Sequence, residues 1–239
     1  MANNYLGTNV GVGLNLQQHG STGGKRYVFV DLNDAPKSRP PFGGIIQNPF
    51  PAGAKAYQGD IVEYSTDGKV KLLKVYKLAK ALAAADTAVL FVRDGFSHKP
   101  FAGDIVMVAP STLSGTGTGV TLGAVTATTA TVGTATVDVW SCAITAGDFS
   151  ASEVAVDTLF VQASAAGSSK APYITNPNGF LEEDIYFNYV PASGDSDFDG
   201  ARYNVTPILH ATVWSNRCTP IPTNIGTRNK SYVTGWFEL

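Results

Sequence analysis

Asp195, Asp197 and Asp199, followed by Gly200, come nearest in this chain to a spacing that does chemistry. Alternate carboxylates that point inward, with a glycine at the sharp bend, form the first half of a calcium loop. The second half departs from the pattern, because the twelfth position is Thr206 rather than Glu and no flanking helix is expected. These three aspartates are a candidate structural Ca2+ site on a β loop, set against the plainer reading of a solvated acidic hairpin tip. No other cofactor is expected.

The residues that could support catalysis are scattered. His19, His98 and His210 show none of the spacings that bring two imidazoles to one metal. There is no Gly-x-Ser-x-Gly elbow, and neither Cys142 nor Cys218 has the local context of a nucleophile. Both cysteines read as buried thiols. Gly20-Ser21-Thr22-Gly23-Gly24-Lys25 has the wrong glycine spacing for a phosphate loop, and Arg26 stands where Ser or Thr should hold Mg2+. Gly115-Thr116-Gly117-Thr118-Gly119 lacks the acidic residue of a dinucleotide site. Glu182, Glu183 and Asp184 read as the cap of a strand rather than an acid/base pair. The chain is expected not to be an enzyme.

Bulk properties point the same way. The chain has 239 residues, 44% hydrophobic and 15% charged, enough to bury a core without disulfides. A formal charge of −2 lacks the clustered Lys and Arg that phosphate contacts need, so nucleic acid is not an expected partner. Ala81 to Val92, the most apolar run, contains Asp86 and is too short for a bilayer, so no membrane partner is expected. The first residues, Met1-Ala2-Asn3-Asn4-Tyr5, show no secretory signal, and synthesis in a cytoplasm is expected.

Frequent Gly, Pro, Thr and Val favour strands over helices. The expected fold is all-β: small β-sandwich or barrel-like units with an extended N-terminal arm. Residues 1–55 read as that arm, 56–110 as a β domain, 111–170 as a Gly/Thr-rich β insertion and 171–239 as a C-terminal β unit. In the arm, Tyr27-Val28-Phe29-Val30 is one isolated strand-like segment that needs another sheet to bury it, so these four residues are candidate partner contacts. Pro36 to Pro51 is expected to be extended and irregular.

Gly59-Asp60 leads into Ile61-Val62-Glu63-Tyr64, and Asp67-Gly68 turns the chain into Lys69-Val70-Lys71-Leu72, a hairpin. Lys71, Lys74, Lys77 and Lys80 recur at helical spacing, yet Val75, Tyr76 and Leu78 suit a strand. A strand with a solvated lysine face is expected. Gly103-Asp104-Ile105-Val106 repeats the earlier Gly59-Asp60-Ile61-Val62, one turn-into-strand device used twice. From 111 to 139 the residues are almost all Gly, Thr, Val and Ala, as in sheets that stack or associate. Ala165 to Ser169 reads as a connector, and Ile185 to Val190 is expected to pair with Val205 to Trp214.

The run from Gly59 to Tyr64, then Asp86-Thr87-Ala88-Val89-Leu90-Phe91-Val92-Arg93-Asp94-Gly95, Gly103 to Val106, Asn178-Gly179-Phe180-Leu181-Glu182-Glu183-Asp184 and Ala211-Thr212-Val213-Trp214 resembles auxiliary capsid, decoration and head-fibre proteins of tailed phages, including crAss-like phages. The resemblance spans about residues 55 to 215. It implies a virion structural protein on the outer capsid surface that contacts the major capsid protein and forms a homo-oligomer. The alternative expectation is a phage tail or receptor/glycan-binding protein.

Overall fold

Short apolar runs punctuated by Gly, Pro and Asp cannot sustain a helix, and strands and turns make up the computed structural model, which describes residues 43–47, 50–51, 53–94, 97–149, 154–187, 204–209 and 219. The strands are β1 (Gly44–Ile46), β2 (Ala54–Ala56), β3 (Ile61–Tyr64), β4 (Lys69–Leu72), β5 (Val75–Lys77), β6 (Ala88–Val92), β7 (Ile105–Val108) and β8 (Gly117–Thr121). They continue with β9 (Val125–Val132), β10 (Ala135–Ala143), β11 (Leu159–Gln162), β12 (Gly167–Lys170), β13 (Gly179–Leu181), β14 (Ile185–Phe187), β15 (Asn204–Val205) and β16 (Pro207–Ile208). The fold is all-β. A six-stranded sheet runs β15-β1-β4-β3-β13-β16, a five-stranded sheet β12-β8-β7-β11-β5, a three-stranded sheet β6-β10-β9, and β14 pairs with β2.

The two Gly-Asp-Ile-Val words occupy matching places in the two larger sheets. Gly59 and Gly103 both have positive φ, 83° and 91°, which an L side chain resists, and each lets a tight turn feed a strand. Gly59 N–H donates to Leu181 O and Gly103 N–H to Leu122 O, each at 2.8 Å. Leu181 N–H and Leu122 N–H answer to Asp60 O and Asp104 O, again at 2.8 Å. On the opposite flank Leu73 N–H donates to Ile61 O and Ala163 N–H to Ile105 O, both at 2.9 Å. A repeated four-residue word has thus become a repeated strand environment.

Alternation along β3 and β7 then distributes the core. Ile61 and Met107 share one buried cluster with Leu73, Val75, Val161, Ile174 and Phe180. Val62, one residue on, joins Ile46, Phe50, Val70, Leu72 and Phe187, while Val106 joins Tyr76, Phe91, Cys142 and Phe160. Both strands are covered on both faces, which is why their sequence is apolar at successive positions.

The expected β3–β4 hairpin forms, with Val62 opposite Leu72 and Tyr64 opposite Val70. Asn178 extends it: its side-chain amide accepts from Tyr64 N–H at 2.7 Å and donates to Tyr64 O at 2.6 Å. Residues 70–82 are extended, as expected. Other expectations are corrected. The stretch expected to be irregular contains β1, and Ile46 and Phe50 are buried, with Phe50 stacked on Phe187 at 4.2 Å. The expected connector at 165–169 includes most of β12, which pairs with β8. Among the described residues β14 pairs with β2, β15 with β1 and β16 with β13, so the expected pairing of Ile185 to Val190 with Val205 to Trp214 is not seen where the two segments are described. The reason is packing: Ile185 and Phe187 close over the same cluster that Ala54 and Ala56 bury.

Candidate interaction surface

Two groups of polar side chains that the fold draws together, around Asp60 and around Asp104, lie beneath the surface. Asp60 Oδ2 accepts from Tyr57 N–H at 2.6 Å while Asp60 N–H donates to Tyr57 O at 2.9 Å. Asp104 and Phe101 make the same reciprocal pair, as do Asp86 with Ala83 and Asp148 with Thr145. Such a turn satisfies two backbone groups that would otherwise be orphaned. Two of these aspartates also meet a buried partner. Asp60 lies 2.8 Å from His98 Nε2 and accepts the Thr219 hydroxyl on its other oxygen. His98 Nδ1 accepts from Val75 N–H at 3.0 Å, so in the neutral ring Nε2 carries the hydrogen and donates to Asp60. Asp104 binds Lys74 Nζ at 2.8 Å and the Tyr76 hydroxyl at 2.9 Å.

An aspartate, a histidine and a hydroxyl thus stand in a row inside the fold, with Asp60 0% exposed and His98 2%. Lys74, at 3%, is equally enclosed, which corrects the expectation of a solvated lysine face at that position. Tyr76 is held protonated, its pKa pushed well above the usual range by burial and then by the negative charge of Asp104. Burial, with Asp104 again second, pushes the Cys142 thiol up to about 12, so it is not a nucleophile at neutral pH. These clusters hold turns to strands. They are absent from the sequence expectations, although an Asp directly ahead of Ile-Val was the available signal.

The accessible surface offers something different. Val139 to Ala143 of β10 pair with β6 and Asp138 O accepts from Arg93 N–H at 3.0 Å, but among the described residues Ala135 to Val137 pair only with β9, so the end of the β9–β10 hairpin projects past the sheet as a two-stranded ribbon. Thr126, Ala127, Thr128, Thr129 and Thr131 are exposed, and β9 forms an edge whose outer N–H and C=O groups have no partner among the described residues. At the base of the ribbon two cations lie over one indole: Arg93 at 5.2 Å and Lys99 at 5.3 Å from the Trp140 ring centre. Elsewhere Lys55 sits 4.5 Å over Tyr57 and 4.9 Å over Tyr186 while pairing with Asp184 at 2.7 Å. Burial would lower the Lys55 pKa, but the hydrogen bond and charge of Asp184 outweigh it and the net shift is upward. Asp184 also accepts from Gln58 N–H at 2.8 Å, tying the start of β14 to the loop after β2.

Among the described residues, no group of three or more His, Cys, Asp or Glu gathers as metal ligands. Asp195, Asp197 and Asp199, together with Tyr27, Val28, Phe29 and Val30, lie outside the described residues, as do His19, His210 and Cys218. No protein-family model, curated protein or solved structure matches the chain.

Proposed function

We propose that the chain is a virion structural protein that binds the outer surface of a tailed-phage capsid and decorates or stabilises it. In this reading it is not an enzyme. Its partners are the major capsid protein and copies of itself, and it is made in the host cytoplasm before joining the capsid surface. The observation that carries the reading is the exposed β9–β10 ribbon with its open edge, a surface built for contact between chains. The sequence resemblance to head decoration proteins supplies the setting. Cementing a shell needs many modest contacts repeated by symmetry, and multivalency turns weak single contacts into lasting attachment.

Residues 1–42, the part of the expected arm that precedes β1, with Tyr27 to Val30 as the strand that adds to a neighbour's sheet, serve as the anchor. Mixing the purified chain with phage heads that lack it, then sedimenting the heads, tests both statements. Saturable co-sedimentation is expected, falling at least tenfold when residues 1–42 are deleted. Heads that pellet without the chain contradict the decoration role, and undiminished binding by the truncated chain moves the anchor into the β body.

A receptor or glycan-binding role is the second reading. Tyr186, 53% exposed beside Lys55, and Trp140 beneath two cations are rings of the kind sugars stack on. A glycan array decides it: specific binding lost in Tyr186→Ala or Trp140→Ala favours this role.

A further inference from the structure

We propose that the outer edge of β9 is a two-fold interface: β9 of one copy pairs antiparallel with β9 of a second copy and joins the two three-stranded sheets into one. The proposal deepens the reading of a protein that acts through contact, and rests on that reading only for its setting on a capsid. The first observation is how the other sheet edges are protected. β15 and β16 have two residues each and β16 begins with Pro207; β5 is three residues long and carries Lys77; β12 ends in Lys170; β2 and β14 are three residues each, with Lys55 in β2. The far side of β6 is closed by Ala79 N–H donating to Leu90 O at 2.8 Å. Short length, lysine and proline are the devices that keep edges from pairing with other chains.

β9 has none of them. It runs for eight residues with no charge, proline or glycine, and among the described residues nothing pairs with its outward row of backbone donors and acceptors. A ribbon of two strands with small side chains and two wet faces is poorly stable alone, and a further strand supplies what it lacks.

The same strand identifies the occupant. Val125-Thr126-Ala127-Thr128-Thr129-Ala130-Thr131-Val132 holds only small uncharged side chains, so a copy running antiparallel opposes neutral residues with neutral residues in every register. A two-fold axis normal to the sheet sets residues of equal parity opposite each other. Centred on Thr128, it pairs Ala127 with Thr129 and Thr126 with Ala130. Centred on Thr129, it pairs Thr128 with Ala130 and Ala127 with Thr131. Both registers join neutral threonine, alanine and valine with no charge clash and no bulky side chain. An acidic or basic partner strand finds no counter-charge along β9, whereas a second β9 needs none.

Complementary charges test this in the full-length chain. Sedimentation equilibrium is run on the wild type, Thr128→Lys, Thr128→Asp and an equimolar mixture of the two variants, with thermal melting as the control for folding. Expected are a wild-type dimer, at least tenfold weaker association for each variant alone, and recovery of the dimer in the mixture. A wild-type monomer, variants that associate like the wild type, or a mixture that stays monomeric overturns the proposal. Cross-linking keeps the test open should either charged variant melt early. Of oxidised Thr128→Cys and Thr129→Cys, the one at the two-fold centre should give a covalent dimer, and Thr136→Cys, on β10, should not. Equal cross-linking at Thr136→Cys, or none at either β9 position, sinks the interface. Capsid co-sedimentation separates the two readings: a dimer that ignores capsids refutes decoration alone, and capsid binding by a chain with no β9 contact refutes the interface alone.

Discussion

Asp104 serves two structures at once, closing a turn through Phe101 N–H and receiving Lys74 and Tyr76 inside the core. A buried pair of this kind adds little over a well-packed apolar replacement, but losing one member strands the other. Lys74→Met should therefore cost about 3–5 kcal/mol in urea unfolding, whereas Lys80→Met, at an exposed position, should stay within about 0.5 kcal/mol. Equal effects would remove the ion pair from the account. Alkali provides a second check. A folded-state pKa above the unfolded one means that the folded chain keeps a proton the unfolded chain releases. Stability is then complete below the ordinary pKa and is lost as pH rises. For Cys142 the window opens near 9 and extends to about 12, and Tyr76 adds to the loss above 10. Melting points should fall through that window, and less steeply in Cys142→Ala. Parallel curves for the two proteins would contradict the assignment. The sequence made the Gly-Asp words visible but hid their partners, because His98 and Lys74 reach Asp60 and Asp104 only through sheet pairing across long loops.

Strands announced by local chemistry were readable before the structure. Asp67-Gly68 between alternating residues specifies the β3–β4 hairpin, and Ala88 to Val92 carries the β-branched and aromatic content of a strand. Strands that exist only because a neighbour pairs with them were not. β12 is Gly-Ser-Ser-Lys and β2 is Ala-Lys-Ala, neither with any intrinsic preference for extension, and each is held by the ladder of β8 or β14. β1, among prolines and glycines, is fixed by burial of Ile46 and by parallel pairing with β4. The turn device gives a prediction at this scale. A Cβ on Gly103 would meet nothing within 4 Å, so the cost of Gly103→Ala comes from its φ of +91° alone. That cost should be about 1–2 kcal/mol, read as a lower urea midpoint with an unchanged slope. An unchanged midpoint would show that the turn tolerates another geometry.

At the scale of the molecule, the clusters built around Ile61, Val62 and Val106 account for how one chain supports two sheets that reuse the same strand environment. Two charged clusters are turned inward, and the edge strand β9 is a neutral run of threonine, alanine and valine. All-β character and the strands of the Gly/Thr region followed from composition and alternation. The open edge of β9 did not, since which strands lie at an edge is decided by the order of the whole sheet. On the proposed reading, a protein arranged in this way acts by area of contact repeated over a particle. Electron microscopy of virions labelled with an antibody to this chain is the most direct measurement: regular label over the head surface is predicted, and label confined to the tail, or particles with none, would contradict the account.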